Sequence, residues 1–173
     1  TTTRYFRDKL AMRMKAQEKG LNIPEFVHVL NHGRVNDFLD RVPPPWVLKP
    51  RMLAGAIGIK KVGEKQAAWD LINALGDQQS FYLLERFIPG DICHVDSIIY
   101  ESQVVWAVAS AYGKPPLEVS HSGDIFTTRL MERGSEREKA VLDKNRSVLA
   151  GLGLVRGVSH TEFIVGHEDQ RVY

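Results

Sequence analysis

Lys49 stands inside an apolar run, Trp46-Val47-Leu48-Lys49-Pro50. Side chains alternate along a strand, so Val47 and Lys49 share one face. An ammonium in that position ordinarily reaches along the apolar surface to solvent. The neighbouring loop changes the reading. Ala54-Gly55-Ala56-Ile57-Gly58 is a small-residue stretch, and Lys60 and Lys61 come directly after it. Small residues let the backbone approach a ligand closely, and amides exposed there can cradle an anion. A strand lysine beside a flexible hairpin of this kind is a way to hold a triphosphate under a lid. The plainer alternative is a glycine-rich hairpin next to a solvated lysine.

Two further polar groupings lie at strand spacing. Val158, His160, Glu162 and Ile164 alternate, which puts a histidine and a carboxylate on one face between branched apolar residues. His94 and Asp96 are two apart and share a face in the same way. Each is either a cleft wall or a solvated surface pair. His28, His32, His121 and His167 have no metal-ligand spacing and read as surface or loop residues. Cys93 is the one cysteine, so no disulfide can form within the chain, and its setting is that of a small buried strand residue.

The elements that must position these groups can be read from periodicity. Phe6, Leu10 and Met14 recur at intervals of four, which predicts a helix from Arg4 to Lys19 closed by Gly20. A short strand is expected from Glu25 to Leu30, and a second helix through Val35, Phe38, Leu39 and Val42, ended by Pro43-Pro44-Pro45. Strand Trp46 to Pro50 precedes the small-residue loop. A helix from Glu64 to Leu75 and a strand from Phe81 to Ile88 come after it. Cys93 to Tyr100 and Gln103 to Tyr112 form an antiparallel hairpin about Glu101-Ser102. Leu117 to Gly134 is poorly periodic and reads as loop plus strand. Ser135 to Leu152 is a long helix and Val158 to Val165 a strand. Gln170 to Tyr173 begins another strand, so the chain reads as cut there, and Thr1 in place of methionine gives the same reading at the start.

The order is an α+β pattern rather than the strict alternation of a doubly wound sheet. The 173 residues carry 43% hydrophobic and 25% charged side chains, an ordinary globular mixture. A net charge of +2 is too small to imply a nucleic-acid partner without a focused patch. No apolar run approaches the roughly 20 residues of a membrane span. Walker, dinucleotide-fingerprint, H-E-x-x-H and paired C-x-x-C motifs are missing from the sequence.

The run Pro45 to Pro50 followed by Gly55-Ala56-Ile57-Gly58 resembles the second-lysine strand and glycine-rich lid of ATP-grasp enzymes. Asp8-Lys9, with Gly20 to Pro24 after it, resembles the segment in which a first lysine contacts phosphate. Leu84-Glu85-Arg86-Phe87-Ile88-Pro89-Gly90 resembles the adenine-binding hinge, His94-Val95-Asp96 the strand after it, and Leu152 to Phe163 the segment carrying a magnesium ligand. Five matches come in family order over nearly the whole chain.

The resemblance implies an ATP-grasp fold: two α+β subdomains, each with an antiparallel sheet, sandwiching the nucleotide. Residues 1–88 would form the N-terminal part, with the lid within about 45–88, and residues 89–173 an incomplete C-terminal subdomain. Lys9 and Lys49 would neutralise the α- and β-phosphates. The backbone of Gly55, Ala56, Ile57 and Gly58 would close over the β- and γ-phosphates. Glu85 would accept from the adenine amino group, and the backbone of the Arg86-Phe87-Ile88 hinge would pair with the rest of the base edge. Asp91 would bind ribose, and His94 and Asp96 would wall the cleft. Arg129 and Arg156 would meet an acyl phosphate. Glu162 would ligate Mg²⁺, with Mn²⁺ as the alternative. The family's second carboxylate belongs on the next strand, of which the sequence holds only Gln170 to Tyr173.

The function implied is that of an ATP-dependent ligase core. It would activate a carboxylate as an acyl phosphate for attack by an amine or similar nucleophile, in the cytoplasm, without nucleic-acid or membrane partners, and with a homodimer as the assembly considered. Three alternatives compete with it. One is bicarbonate activation, as in the biotin-carboxylase branch. Another is a non-catalytic fragment of the fold. The third is an RNA-binding module, since Gly55 to Gly58 also resembles the clamp loop of KH domains.

Overall fold

The computed structural model describes residues 2–173. A 3-10 turn, Thr2–Phe6, leads to helix α1, Lys9–Glu18. One continuous helix from Arg4 was expected. Asp8 divides it, because its extended backbone leaves the carboxylate free to accept from the amides of Leu10 at 3.0 Å and Ala11 at 3.4 Å. That is an N-cap, and a cap starts a helix.

Strand β1 (Phe26–His28) and helix α2 (His32–Arg41) follow, the helix capped by Asn31. Next come β2 (Trp46–Pro50), β3 (Lys60–Val62), α3 (Lys65–Ala74) and β4 (Tyr82–Arg86). The strands form one antiparallel sheet in the order β1-β4-β2-β3. Alternation gives that sheet two unlike faces. Trp46, Leu48 and Leu84 pack beneath α2 and α3 with Val35, Phe38 and Ile72. Val47, Lys49, Leu83 and Glu85 face the other way.

The second sheet has the order β7-β6-β5-β8. Strands β5 (Gly90–Tyr100) and β6 (Gln103–Tyr112) form the expected hairpin. Its two turn residues, Glu101 and Ser102, have φ of 49° and 64°, the left-handed pair that matches the twist of a two-residue hairpin. Helix α4 (Pro116–Ser122) and strand β7 (Thr128–Leu130) come next, then α5 (Glu136–Leu152) and β8 (Gly157–Gly166). Helix α4 departs from the loop-plus-strand expectation. Pro116 occupies the first helical position, where proline's missing donor costs nothing and its φ is already helical. Cys93, Val95, Ala109, Phe163 and Val165 form a core against Val141 of α5. Tyr173 exchanges backbone bonds of 2.9 and 3.1 Å with Ile164, so the last residues begin to pair on the outer edge of β8.

The strands of the first sheet lie before residue 88 and those of the second after 89. Helix α1 crosses that division by packing on α5. Lys144 of α5 donates to the Asn22 carbonyl at 2.8 Å, and Asn22 donates to that of Val172 at 3.2 Å.

Candidate functional site

Helix α1 presents Lys9 and Arg13 one turn apart, so they share a face. They meet the free face of the first sheet. There Lys49 on β2 and Glu85 on β4 are diagonal neighbours, since Val47 pairs with Glu85 and Lys49 with Leu83. Lys49 Nζ lies 2.5 Å from Glu85 Oε2, and Arg13 Nε donates to Glu85 Oε1 at 2.7 Å. Burial pushes the Glu85 carboxyl pKa up, but Arg13 and Lys49 outweigh it and hold the group at about 2. Burial pushes the Lys49 ammonium down by more than Glu85 restores. Lys9 is lowered as well, first by burial and then by repulsion from Lys49 and Arg13. Two cations, Arg13 and Lys49, thus share one buried carboxylate with a third, Lys9, close by, and the surplus positive charge is the electrostatic condition for an anion site.

The loop between β2 and β3 covers this cluster. Gly55, Ala56 and Gly58 have φ of 65°, 59° and 74°, and Ile57 projects outward, 62% exposed. Lys9 Nζ donates to the Leu53 carbonyl at 2.5 Å. Arg51, at the loop's base, donates to the Asp8 carboxylate at 2.5 and 3.0 Å and to the Ser80 carbonyl at 3.1 Å. The loop joins two strands, whereas the clamp loop of a KH domain joins two helices. That removes the local basis for the RNA-binding alternative.

At the connection from β4 to β5, the Arg86 amide donates to Glu25 and the Phe87 amide to Pro45, at 2.8 and 3.0 Å. The Ile88 amide has no backbone partner among the described residues. Its residue is 8% exposed, so this donor is an open valence at the hinge. Lys61 lies 3.7 Å over the Phe87 ring, which joins β3 to the same connection.

The opposite wall is one face of the second sheet. The β5–β8 register sets Glu162 against His94 and His160 against Asp96. Tyr112 donates to Glu162 Oε1 at 2.9 Å. Glu162 is near enough to Lys9 and Lys49 for its charge to favour their protonated forms.

Three expected positions fall elsewhere. Asp91 alternates with Cys93 and Val95 and therefore lies on the α5 side of the sheet, bonded at 2.8 Å to Arg137 and to His167. A ribose in the cleft is out of its reach. Arg129 pairs with Ala111, which again places it on the α5 side and not beside Glu162. Arg156 bonds Glu101 at 2.8 Å and covers the Tyr100 ring at the far end of the hairpin. Six extended residues, about 20 Å, separate it from Glu162. Glu85 is in the cleft, where each of its oxygens already holds a cation, Arg13 on one and Lys49 on the other.

Sequence reasoning missed Arg13 and Tyr112. Arg13 had a signal in its i, i+4 spacing from Lys9; Tyr112 had only its place at the end of β6.

No family model matches the chain. It is 31% identical over 83 residues to a D-alanine–D-alanine ligase of Nitrosomonas europaea, covering 48% of this chain and 27% of that one. It is 20% identical to an L-arginine-specific L-amino acid ligase of Bacillus subtilis, over 99% of this chain and 42% of the relative. Among solved structures, a carboxyaminoimidazole ribonucleotide synthase from Aspergillus clavatus, complexed with ATP, superposes with a TM-score of 0.78 at 15% identity, over 98% of this chain and 43% of that one. The chain has the ATP-grasp fold. The matched segments cover less than half the length of each of these three proteins. In the ATP-grasp frame the two antiparallel four-stranded sheets are the two halves of the sandwich.

Proposed function

We propose that this chain is the ATP-binding core of a carboxylate–amine ligase, which activates a carboxylate as an acyl phosphate for attack by an amine or similar nucleophile. The observation that carries the reading is the clustering of Lys9 with Arg13 and Lys49, the last two held by the single buried carboxylate of Glu85. A polyphosphate supplies the negative charge that this cluster lacks. The two relatives named as ligases support the carboxylate–amine branch over bicarbonate activation.

In this reading Lys9 and Lys49 bind the α- and β-phosphates, with Glu85 holding Lys49 and Arg13 in place. The amides of Gly55 to Gly58 close over the outer phosphates and exclude water. The free Ile88 amide donates to the adenine edge, and the Arg86 carbonyl accepts from it. Glu162 suits Mg²⁺, or Mn²⁺, because a carboxylate is a hard oxygen donor and the Tyr112 hydroxyl fixes its rotamer. Such an ion, when bound, neutralises phosphate charge as the γ-phosphoryl group moves. Residues 1–88 and 89–173 act as the two subdomains. The protein works in the cytoplasm on small molecules, without nucleic acid or membrane, and a homodimer is the assembly proposed. No helix among the described residues is long and apolar enough to cross a membrane.

A thermal-shift comparison of magnesium-ATP, magnesium-GTP and buffer tests the reading. ATP at about 100 times its dissociation constant stabilises by about 2.7 kcal/mol. A selective rise in Tm with ATP supports the proposal. Equal curves with all three overturn it for this chain.

A further inference from the structure

Beside Glu162 the second sheet carries a group of side chains that the nucleotide reading does not use. His94 and Asp96 are neighbours on one face of β5, and His160 stands opposite Asp96 on β8. Asp96 Oδ2 lies 3.1 Å from His94 Nδ1, and Asp96 Oδ1 lies 2.7 Å from His160 Nδ1. One donor atom from each of the three residues falls within 4.8 Å of the other two. We infer that His94, Asp96 and His160 bind a divalent transition cation of the zinc class, at a site separate from the oxygen ligand Glu162.

The spacing suits such an ion. Ligand atoms about 2.1 Å from a tetrahedral centre are about 3.4 Å apart, so a small opening of the two observed contacts admits it. His94 is 6% exposed, and its Nε2 is in contact with Thr128 Oγ1 at 2.9 Å. Metal-bound imidazoles have an outer partner of this kind, which sets the ring and leaves the other nitrogen for the metal. The two imidazoles lie against each other, 4.7 Å between centroids, with both Nδ1 atoms turned to one carboxylate. The side-chain partners of Asp96 are these two imidazoles, with no lysine or arginine within ion-pair distance among the described residues. His160 is about half exposed, which gives an ion a way in. Two nitrogens and one oxygen favour Zn²⁺ or Co²⁺ over Mg²⁺. The His167–Asp91 contact lacks this convergence, since Arg137 already neutralises Asp91.

The test is a Co²⁺ titration of the chain without nucleotide, followed by visible d–d absorption. Its result is therefore independent of whether ATP binds. One equivalent of Co²⁺ should give d–d bands that Zn²⁺ abolishes and a large excess of Mg²⁺ leaves in place. No thiolate charge-transfer band should accompany them, because Cys93 is buried on the other face of the sheet. His160→Ala, at an exposed position that a folded chain tolerates, should weaken Co²⁺ binding at least tenfold, and Asp96→Asn likewise. Thr128→Val should weaken it by about tenfold through the His94 ring. His167→Ala should leave it unchanged. Absence of the bands, their survival in His160→Ala, or their loss in His167→Ala overturns the site and leaves a hydrogen-bonded His–Asp–His cluster only.

Discussion

Lys49 Nζ lies 2.5 Å from Glu85 Oε2, diagonally across β2 and β4, with both side chains largely withdrawn from water. The pair does not stand alone, because Arg13 reaches the other oxygen from α1. Glu85 thus carries two cations into the cleft and stays ionised while doing so.

Removing the lysine separates binding from folding. In Lys49→Ala, Glu85 keeps Arg13 as its partner, so the chain should remain folded by circular dichroism. Nucleotide affinity by calorimetry should fall at least tenfold, and an unchanged affinity removes Lys49 from the phosphate site.

Removing the carboxylate should do the reverse. Glu85→Gln leaves Arg13 and Lys49 crowded without compensation and should cost about 3 kcal/mol in urea unfolding. The sign of the pH dependence follows from the lowered pKa. The contribution of Glu85 is fully present above its ordinary value of 4.5 and is lost as the pH falls towards about 2. The gap in stability between wild type and Glu85→Gln should therefore narrow over that window. A gap independent of pH there argues against the ion cluster.

Binding of a polyphosphate should be coupled to proton uptake. Lys9 and Lys49 have lowered pKa values in the free chain, and an anion favours their charged forms. As the pH rises towards the ordinary lysine value of 10.5, calorimetric enthalpies measured in buffers of different ionisation heat should differ in the sense of protons taken up by the protein. Equal enthalpies would mean that both lysines are already fully charged.

Arg129 and Arg156 supply the negative control. One lies on the α5 side of the second sheet and the other at its far end. Arg129→Ala and Arg156→Ala should leave nucleotide affinity unchanged. Loss of the exposed Arg156–Glu101 pair should cost about 0–1 kcal/mol. A marked fall in affinity for either variant would bring that arginine back to the cleft.

The elements legible in the sequence were those that a local period records. Strand β2 has its expected bounds, the β5–β6 hairpin turns at Glu101-Ser102 as expected, and α5 follows its apolar spacing from a serine cap. The pairing of Lys49 with Glu85 was not legible, because it depends on a register between strands separated by 31 residues of lid and helix. Alternation placed His94 beside Asp96 and His160 beside Glu162, but only the β5–β8 register turns those two pairs into one surface. Asp91 was assigned by its place after the hinge motif and Arg129 by the chemistry of its guanidinium, and side-chain alternation sends both to the opposite face. Helix α4 was obscured by the poor periodicity of Leu117 to Gly134, although Pro116 just before it begins the helix.

The hydrogen bond from Lys9 to the Leu53 carbonyl has a mechanical meaning. Lys9 is rooted, through α1, on α5, whereas Leu53 travels with the loop over the cleft. A phosphate oxygen is a stronger acceptor for an ammonium than a neutral carbonyl. In the proposed reading an arriving nucleotide therefore takes Lys9 from Leu53 and frees the loop to settle over the phosphates, so that loading the cleft and reseating its cover become a single exchange of acceptors on one ammonium group.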